Sequence, residues 1–313
     1  MSDFSGTGGA MVQSTALVHR APVDPETGFS EKAPWGIGAW LAAGWLTIVA
    51  ICVVFAPVLP LTDPLENFVG IRNVGPFQLA DHPFGGDGSG RDLFSRVVFG
   101  ARNSMGIGIL AVTFGFVIGG TLGMLAGFYR NWLATALATL FDILLAFPGL
   151  VLALSLVSFL TGPTDADPIM SPFWIVTLAL GIVSIPILAR ITRANALAWS
   201  QREFVMAARA QGAKDSRIIF REVLPNVLPA MFSITLLGIA VAIIAEGGLA
   251  LLGVGIPPPE PSWGNIIATG RGGLREAPYI VFIPSTAIFL TVLSLNFLGD
   301  KIRDRFDVRE SAL

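Results

Sequence analysis

Phe204-Val205-Met206-Ala207-Ala208-Arg209-Ala210-Gln211-Gly212-Ala213-Lys214-Asp215-Ser216-Arg217-Ile218-Ile219-Phe220-Arg221-Glu222-Val223-Leu224-Pro225 is a basic, polar island between two runs too apolar for a water-soluble protein. Arg209, Lys214, Arg217 and Arg221 are costly in hydrocarbon, so the island projects from a membrane and meets something at its surface. A helix over about 202–211 would set Val205, Ala208 and Ala210 as small or apolar positions against polar Arg202, Arg209 and Gln211. Gly212 then ends that helix at low steric cost. A second short helix, about 214–222, is expected to stop before Leu224-Pro225, because proline disfavours helical geometry in the residue before it. Helix, glycine and helix together make a lever: force applied at 205–212 would pass to the apolar run starting near 228. A basic loop held at anionic headgroups is the alternative reading of spacing alone.

The rest of the 313-residue chain agrees with a membrane setting: 53% of residues are hydrophobic and 13% charged. Soluble domains carry about 25% charged residues, and the mean hydropathy here is +0.70. The class is therefore an all-α, polytopic membrane protein. Cys52 is the sole cysteine, which excludes an intramolecular disulfide and a cysteine-based metal site. His19 and His82, the two histidines, lie in a polar tail and a loop and form no histidine-rich metal centre. No Ser-His-Asp or paired catalytic carboxylates stand out, so the chain shows no catalytic residues of its own.

Six runs meet the length of about 20 apolar residues that a spanning helix needs: roughly 36–60, 104–128, 132–160, 173–192, 228–253 and 279–299. Pro148, Pro186 and Pro284 fall within them and are expected to kink rather than break the helices. Residues 1–34 read as a disordered tail, with no apolar core after a basic start to mark a signal peptide. Residues 35–103 read as the first span with an outer loop, 104–300 as a five-helix core and 301–313 as a second tail. Lys and Arg placement sets orientation. With the N-terminus inside, the inner side carries fourteen of the twenty basic residues, seven of them between Arg190 and Arg221. Arg72, Arg91, Arg96, Arg102, Arg271 and Arg275 stay outside. Both tails are thus expected in the cytoplasm.

Ala111, Gly115, Gly119, Gly123 and Gly127 recur every four residues and form one small-residue helix face. It packs either on a neighbouring helix of the same chain or on a second subunit. Gly85-Gly86-Asp87-Gly88-Ser89-Gly90-Arg91-Asp92 is glycine-rich but lacks the Lys-Ser/Thr of a phosphate-binding loop. It reads as a turn feeding a short amphipathic helix, about 91–102, at the outer interface. There Leu93, Val97 and Val98 would face lipid, and Arg91, Arg96 and Arg102 the headgroups. Asp142 and Glu246 lie within spans, where an acid suggests function by default. Either lines a translocation path and attracts a cationic group, or is held structurally, Asp142 by Arg130 or Arg190. Pro257-Pro258-Pro259-Glu260-Pro261 is stiff and extended, with Trp263 either a docking surface or a plain linker.

Ala207-Ala208, three residues, Gly212, then eleven residues to Leu224-Pro225 resembles the EAA loop of ABC-importer permeases. His82-Pro83-Phe84-Gly85, Gly90-Arg91-Asp92-Leu93-Phe94-Ser95-Arg96 and Gly100-Ala101-Arg102 are similar to the signature before the second span of peptide/nickel-type permeases. Glu246-Gly247-Gly248-Leu249, Leu252 to Pro259, Pro261-Ser262-Trp263-Gly264, Asn296 to Asp300 and Arg303-Asp304 extend the likeness over about 80–305. The chain resembles the second, C-type permease of a dipeptide/oligopeptide/nickel ABC importer. It departs at Met206, where the family has glutamate, and at Glu222, where it has an apolar residue, so no loop glutamate at 206 contacts an ATPase.

The resemblance implies a type I importer permease fold with cytoplasmic coupling helices in a prokaryotic inner membrane. It implies coupling to an ATPase through Glu203, Val205, Ala207, Ala208, Arg209, Gly212, Ala213, Arg217, Leu224 and Pro225, in a loop of about 202–226. Glu246, Asp142 and Asn195 are the candidates for the translocation path. The partners implied are a homologous permease, two ATP-binding subunits, an extracytoplasmic substrate-binding protein and lipid, with no nucleic acid. ATP and Mg would sit on the partners, leaving this chain without a cofactor of its own. Short peptides are the leading substrate; nickel or other metal chelates, haem and glycosides stay open. An ion-coupled transporter would need inverted repeats, and no internal repeat stands out.

Overall fold

A backbone in lipid must satisfy its own hydrogen bonds, so apolar runs of this length fold as helices. The computed structural model describes residues 36–162 and 170–310, with side chains to 303. The polar tail 1–34, most of the loop 161–172 and the last three residues lie outside the described residues or at their edge. The helices are α1 (Ile37–Phe55), α2 (Leu93–Phe128), α3 (Trp132–Leu145), α4 (Gly149–Thr161) and α5 (Pro172–Trp199), followed by α6 (Glu203–Ala210), α7 (Asp215–Ile218), α8 (Leu224–Leu251), α9 (Trp263–Gly270) and α10 (Tyr279–Glu310). Among the described residues five helices are long and apolar enough to cross a membrane, or six if the bent pair α3–α4 counts as one span. There is no strand among them, only two isolated bridges.

The core is the pair α2–α5, the most extensive helix contact among the described residues. Gly115, Gly119, Gly123 and Gly127 make it possible. A Cβ on Gly119 would stand 2.5 Å from the Ile185 carbonyl oxygen, on Gly123 2.3 Å from that of Ala189, and on Gly127 2.6 Å from that of Arg193. The stripe therefore meets α5 of the same chain, and the face is not free for a second subunit. α8 also packs against α2, α10 packs on α8, and α1 lies against α10, where Trp45 Nε1 donates to Thr291 Oγ1 at 3.0 Å.

Three expectations are corrected. The amphipathic helix at 91–102 is the first part of α2, which runs unbroken for 36 residues from an N-cap at Asp92. Leu93, Val98, Arg91 and Arg96 are buried within the protein rather than spread at a lipid interface. Arg96 Nη1 donates to the carbonyls of Pro64 and Pro259, both at 3.0 Å, and its Nε stands 3.4 Å from Asp87. A buried guanidinium needs such partners, and the outer loop folds down to supply them. The run 132–160 is broken, not kinked: α3 and α4 meet at 94° around Ala146–Pro148. Pro148 has no N–H to continue the ladder, and the surrounding residues 146–150 are all exposed, so little packing holds them helical. Pro186 and Pro284, by contrast, sit inside continuous helices. Finally, the helix does not end at Leu224-Pro225. Ile219–Val223 forms a turn of π-helix, with the Leu224 amide donating to the Ile219 carbonyl five residues back. One wide turn relieves the clash of the proline ring with the preceding turn. The result is one continuous helix from Asp215 to Leu251.

Candidate coupling site and membrane-embedded charges

α5 passes through Ser200–Arg202 into the eight-residue α6 at one end of the bundle. Val205 is fully buried and belongs to the main core, with Ala208 and Ala213 packed against it. Arg209 lies over the Phe128 ring at 5.0 Å, tying α6 to the end of α2, and Arg202 lies over Trp199 at 5.2 Å. Such cation–π contacts hold best where the aromatic is shielded from water. The far end of α6 is set by hydrogen bonding. Ala213 N–H donates to Ala208 O and Gly212 N–H to Arg209 O, both at 3.0 Å, with Gly212 at φ +79°. These are the two bonds of a Schellman motif, and the left-handed residue in it favours glycine.

The orientation of α6 revises which side is offered outward. Val205 and Ala208 turn toward the core. Glu203, Phe204, Met206, Ala207, Arg209, Ala210 and Gln211 are exposed. The free face is a small apolar surface edged by charge, and Lys214, Arg217 and Arg221 extend its basic border onto α7 and the π-turn. Leu224 is half-buried against the core and Pro225 exposed. Beyond Gly212 the chain enters the Asp215–Leu251 helix through Ile218, Ile219 and Val223, all buried. The element is thus rigidly fastened on one side and open on the other.

The three membrane-embedded polar residues do not converge. Glu246 on α8 is fully buried near the opposite end, where Ser104 Oγ donates to its Oε2 at 3.0 Å and Ser262 Oγ to its Oε1 at 2.7 Å. Ser104 also accepts from the Trp263 amide at 3.0 Å, and Trp263 Nε1 donates to the Val97 carbonyl at 2.9 Å. Glu246 therefore pins α2, α8 and α9 together and is closed off from the surface among the described residues. A Cβ on Gly264 would sit 2.7 Å from Gly247 Cα, which shows how tightly α9 lies on α8. The proline-rich segment before α9 is tied down too, since Asn103 Nδ2 donates to the Pro261 carbonyl at 2.7 Å. Asn195 on α5 spends its amide on the Ile191 carbonyl of its own helix at 2.9 Å. Asp142 on α3 stands 3.9 Å from Arg190 on α5, with both side chains about two-thirds exposed. The sequence left the partners of Glu246 unnamed; Ser262, three residues before Asn265 and capping α9 at 3.0 Å, carried the one usable signal, a helix start.

Residues 119–311 match the family described as binding-protein-dependent transport system inner membrane component. The dipeptide transport system permease protein DppC of Alkalihalophilus pseudofirmus is 37% identical over 292 residues, covering 90% of this chain and 92% of that protein. The glutathione transport system permease protein GsiD of Pectobacterium atrosepticum is 36% identical over 267 residues, covering 85% and 86% respectively. The MetNI methionine ABC transporter, in an inward-facing crystal form, shares the fold: TM-score 0.57 at 19% identity, over 67% of this chain and 96% of that one. With a glycine-seamed helical core, an exposed α6 and this span of similarity, the chain belongs to the binding-protein-dependent inner membrane component family and is a multi-pass permease of an ABC importer.

Proposed function

We propose that this chain forms half of the passage by which short peptides enter the cell, the other half coming from a homologous permease. The dipeptide and glutathione permeases among its relatives support the peptide reading. In this proposal two ATP-binding subunits sit beneath α6 and carry ATP and Mg. An extracytoplasmic binding protein delivers substrate at the α9 end, and both termini lie in the cytoplasm. The observation that carries the reading is the mechanical continuity of α6. Its inner face is anchored by Val205, its end is fixed at Gly212, and only Ala213 and Lys214 separate that glycine from the 37-residue helix Asp215–Leu251.

Closure of the ATP-binding subunits would press on the exposed Phe204, Met206 and Ala207. The load would pass to α5 through Trp199 and to α8 through the π-turn, and the helices would tilt between inward and outward access. Hydrolysis belongs to the partners; this chain transmits motion. Purification from native membranes tests the proposal. An ATP-binding subunit should copurify, and uptake of a labelled dipeptide should stop with vanadate. Uptake that follows a proton or sodium gradient, with no ATPase bound, would refute it.

A further inference from the structure

The face shared by α3 and α5 holds charges where lipid would not accept them. On α3, Thr135, Thr139 and Asp142 recur at intervals of four and three and are all exposed, which places them on one side of the helix. Leu133 and Leu140, also exposed and seven residues apart, lie on another side. On α5, Ile187, Arg190, Ala194 and Ala198 form the exposed face. Asp142 Oδ1 and Arg190 Nη1 meet between the two at 3.9 Å, their side chains 65% and 69% exposed.

Depth makes this decisive. Tyr129 and Trp132 are exposed at the α6 end of these helices, where half-buried Trp199 closes α5, and aromatics gathered in this way mark a membrane interface. Asp142 follows Trp132 by ten residues and Arg190 precedes Trp199 by nine, so each lies about 14 Å deeper at 1.5 Å per residue. That is near the middle of a hydrocarbon layer about 30 Å thick. The same face carries the break at Ala146–Pro148, with residues 146–150 exposed. Irregular backbone at this depth is tolerated only against protein or a water-filled cavity. The pair itself separates those two. A salt bridge sealed inside a protein interface needs close, well-satisfied geometry to offset its desolvation, whereas 3.9 Å is too long for a hydrogen bond. A loose, single-point contact is what solvated charges make.

We propose that Asp142 and Arg190 form a charged rung on the wall of the aqueous passage, and that they exchange their mutual contact for the ammonium and carboxylate of a zwitterionic substrate. The ligand class rests on the reading that this permease moves short peptides; the aqueous placement does not. The carboxylate of Asp142 would accept from the substrate's ammonium, while the Arg190 guanidinium donates to its carboxylate. A peptide with both ends blocked offers neither contact.

The test uses the assembled importer with Cys52, the sole native cysteine, replaced by alanine. Asp142→Cys and Arg190→Cys should react with a charged, membrane-impermeant methanethiosulfonate far faster than Leu140→Cys on the other side of α3. In uptake assays the unmutated importer should prefer a free dipeptide over the same peptide acetylated and amidated at its ends. Asp142→Asn and Arg190→Gln should each cut that preference about tenfold, the worth of one charge-assisted hydrogen bond. Cysteines at 142 and 190 no more reactive than the control would overturn the placement. Variants that keep the full preference would overturn the recognition. Labelled cysteines in an importer that takes up no peptide before mutation would instead refute the peptide reading, and with it the substrate half of the proposal.

Discussion

Replacing Gly123 with alanine tests how the bundle is held together. A Cβ there would lie 2.3 Å from the carbonyl oxygen of Ala189 and 2.9 Å from its Cα. Ordinary contact begins at 3.4 Å, so α2 and α5 would have to part by about 1 Å. The obstacle is backbone, and no side-chain rotation relieves it. Overpacking of this kind costs about 1–3 kcal/mol. Alanine also gains about 1 kcal/mol over glycine in a helix, so a control must share that gain. Gly120 supplies one, being on the same helix with only Met231 Cε near a built Cβ, at 3.9 Å. The difference between Gly123→Ala and Gly120→Ala then isolates the clash. At about 2–4 °C per kcal/mol, the first variant should melt about 2–12 °C below the second in thermal-shift measurements on the detergent-solubilised assembly. Equal melting temperatures would refute the close-packed seam.

Three further outcomes are expected. Glu246→Ala removes the acceptor to which both Ser104 and Ser262 donate, and at about 0.6–1.7 kcal/mol per interhelical hydrogen bond in membranes it should lower the melting temperature of the assembly. In the coupling segment, Gly212 has φ +79° with nothing within 4 Å of a built Cβ. Gly212→Ala should therefore cost about 1–2 kcal/mol through backbone strain, with no further penalty for bulk. Ala208→Glu should be the harsher change, because a charge would enter the packing under α6; ATP hydrolysis measured against uptake should show its uncoupling.

How far the sequence foretold the molecule depended on whether the cause was local. The apolar runs, the glycine stripe and the stop at Gly212 each follow from a few neighbouring residues, and each was legible. Arg96 was not. Its acceptors, the carbonyls of Pro64 and Pro259, lie 32 and 163 residues away, so its burial depends on loops that fold over it. The three prolines carry the same lesson. Pro186 is buried in the α5 interior and the helix holds around it, while Pro148 sits in an exposed stretch and the helix breaks. Tertiary support decides, and sequence does not display it. Pro225 was misjudged because a π-turn absorbed it, a device with no sequence signature here. For Asp142 and Glu246 the chain announced two membrane-embedded acids but not their different settings. Glu246 is closed in by Ser104 and Ser262, whose positions only the packing of α2 and α9 reveals.

The coupling role of α6 can be tested by one cross-linking measurement. A cysteine introduced by Ala207→Cys in the Cys52→Ala background stands on the exposed face of α6, and a short photoreactive cross-linker attached there should capture an ATP-binding subunit in native membranes. Absence of that adduct, together with modification of the same cysteine by an impermeant thiol reagent added outside intact cells, would contradict the account.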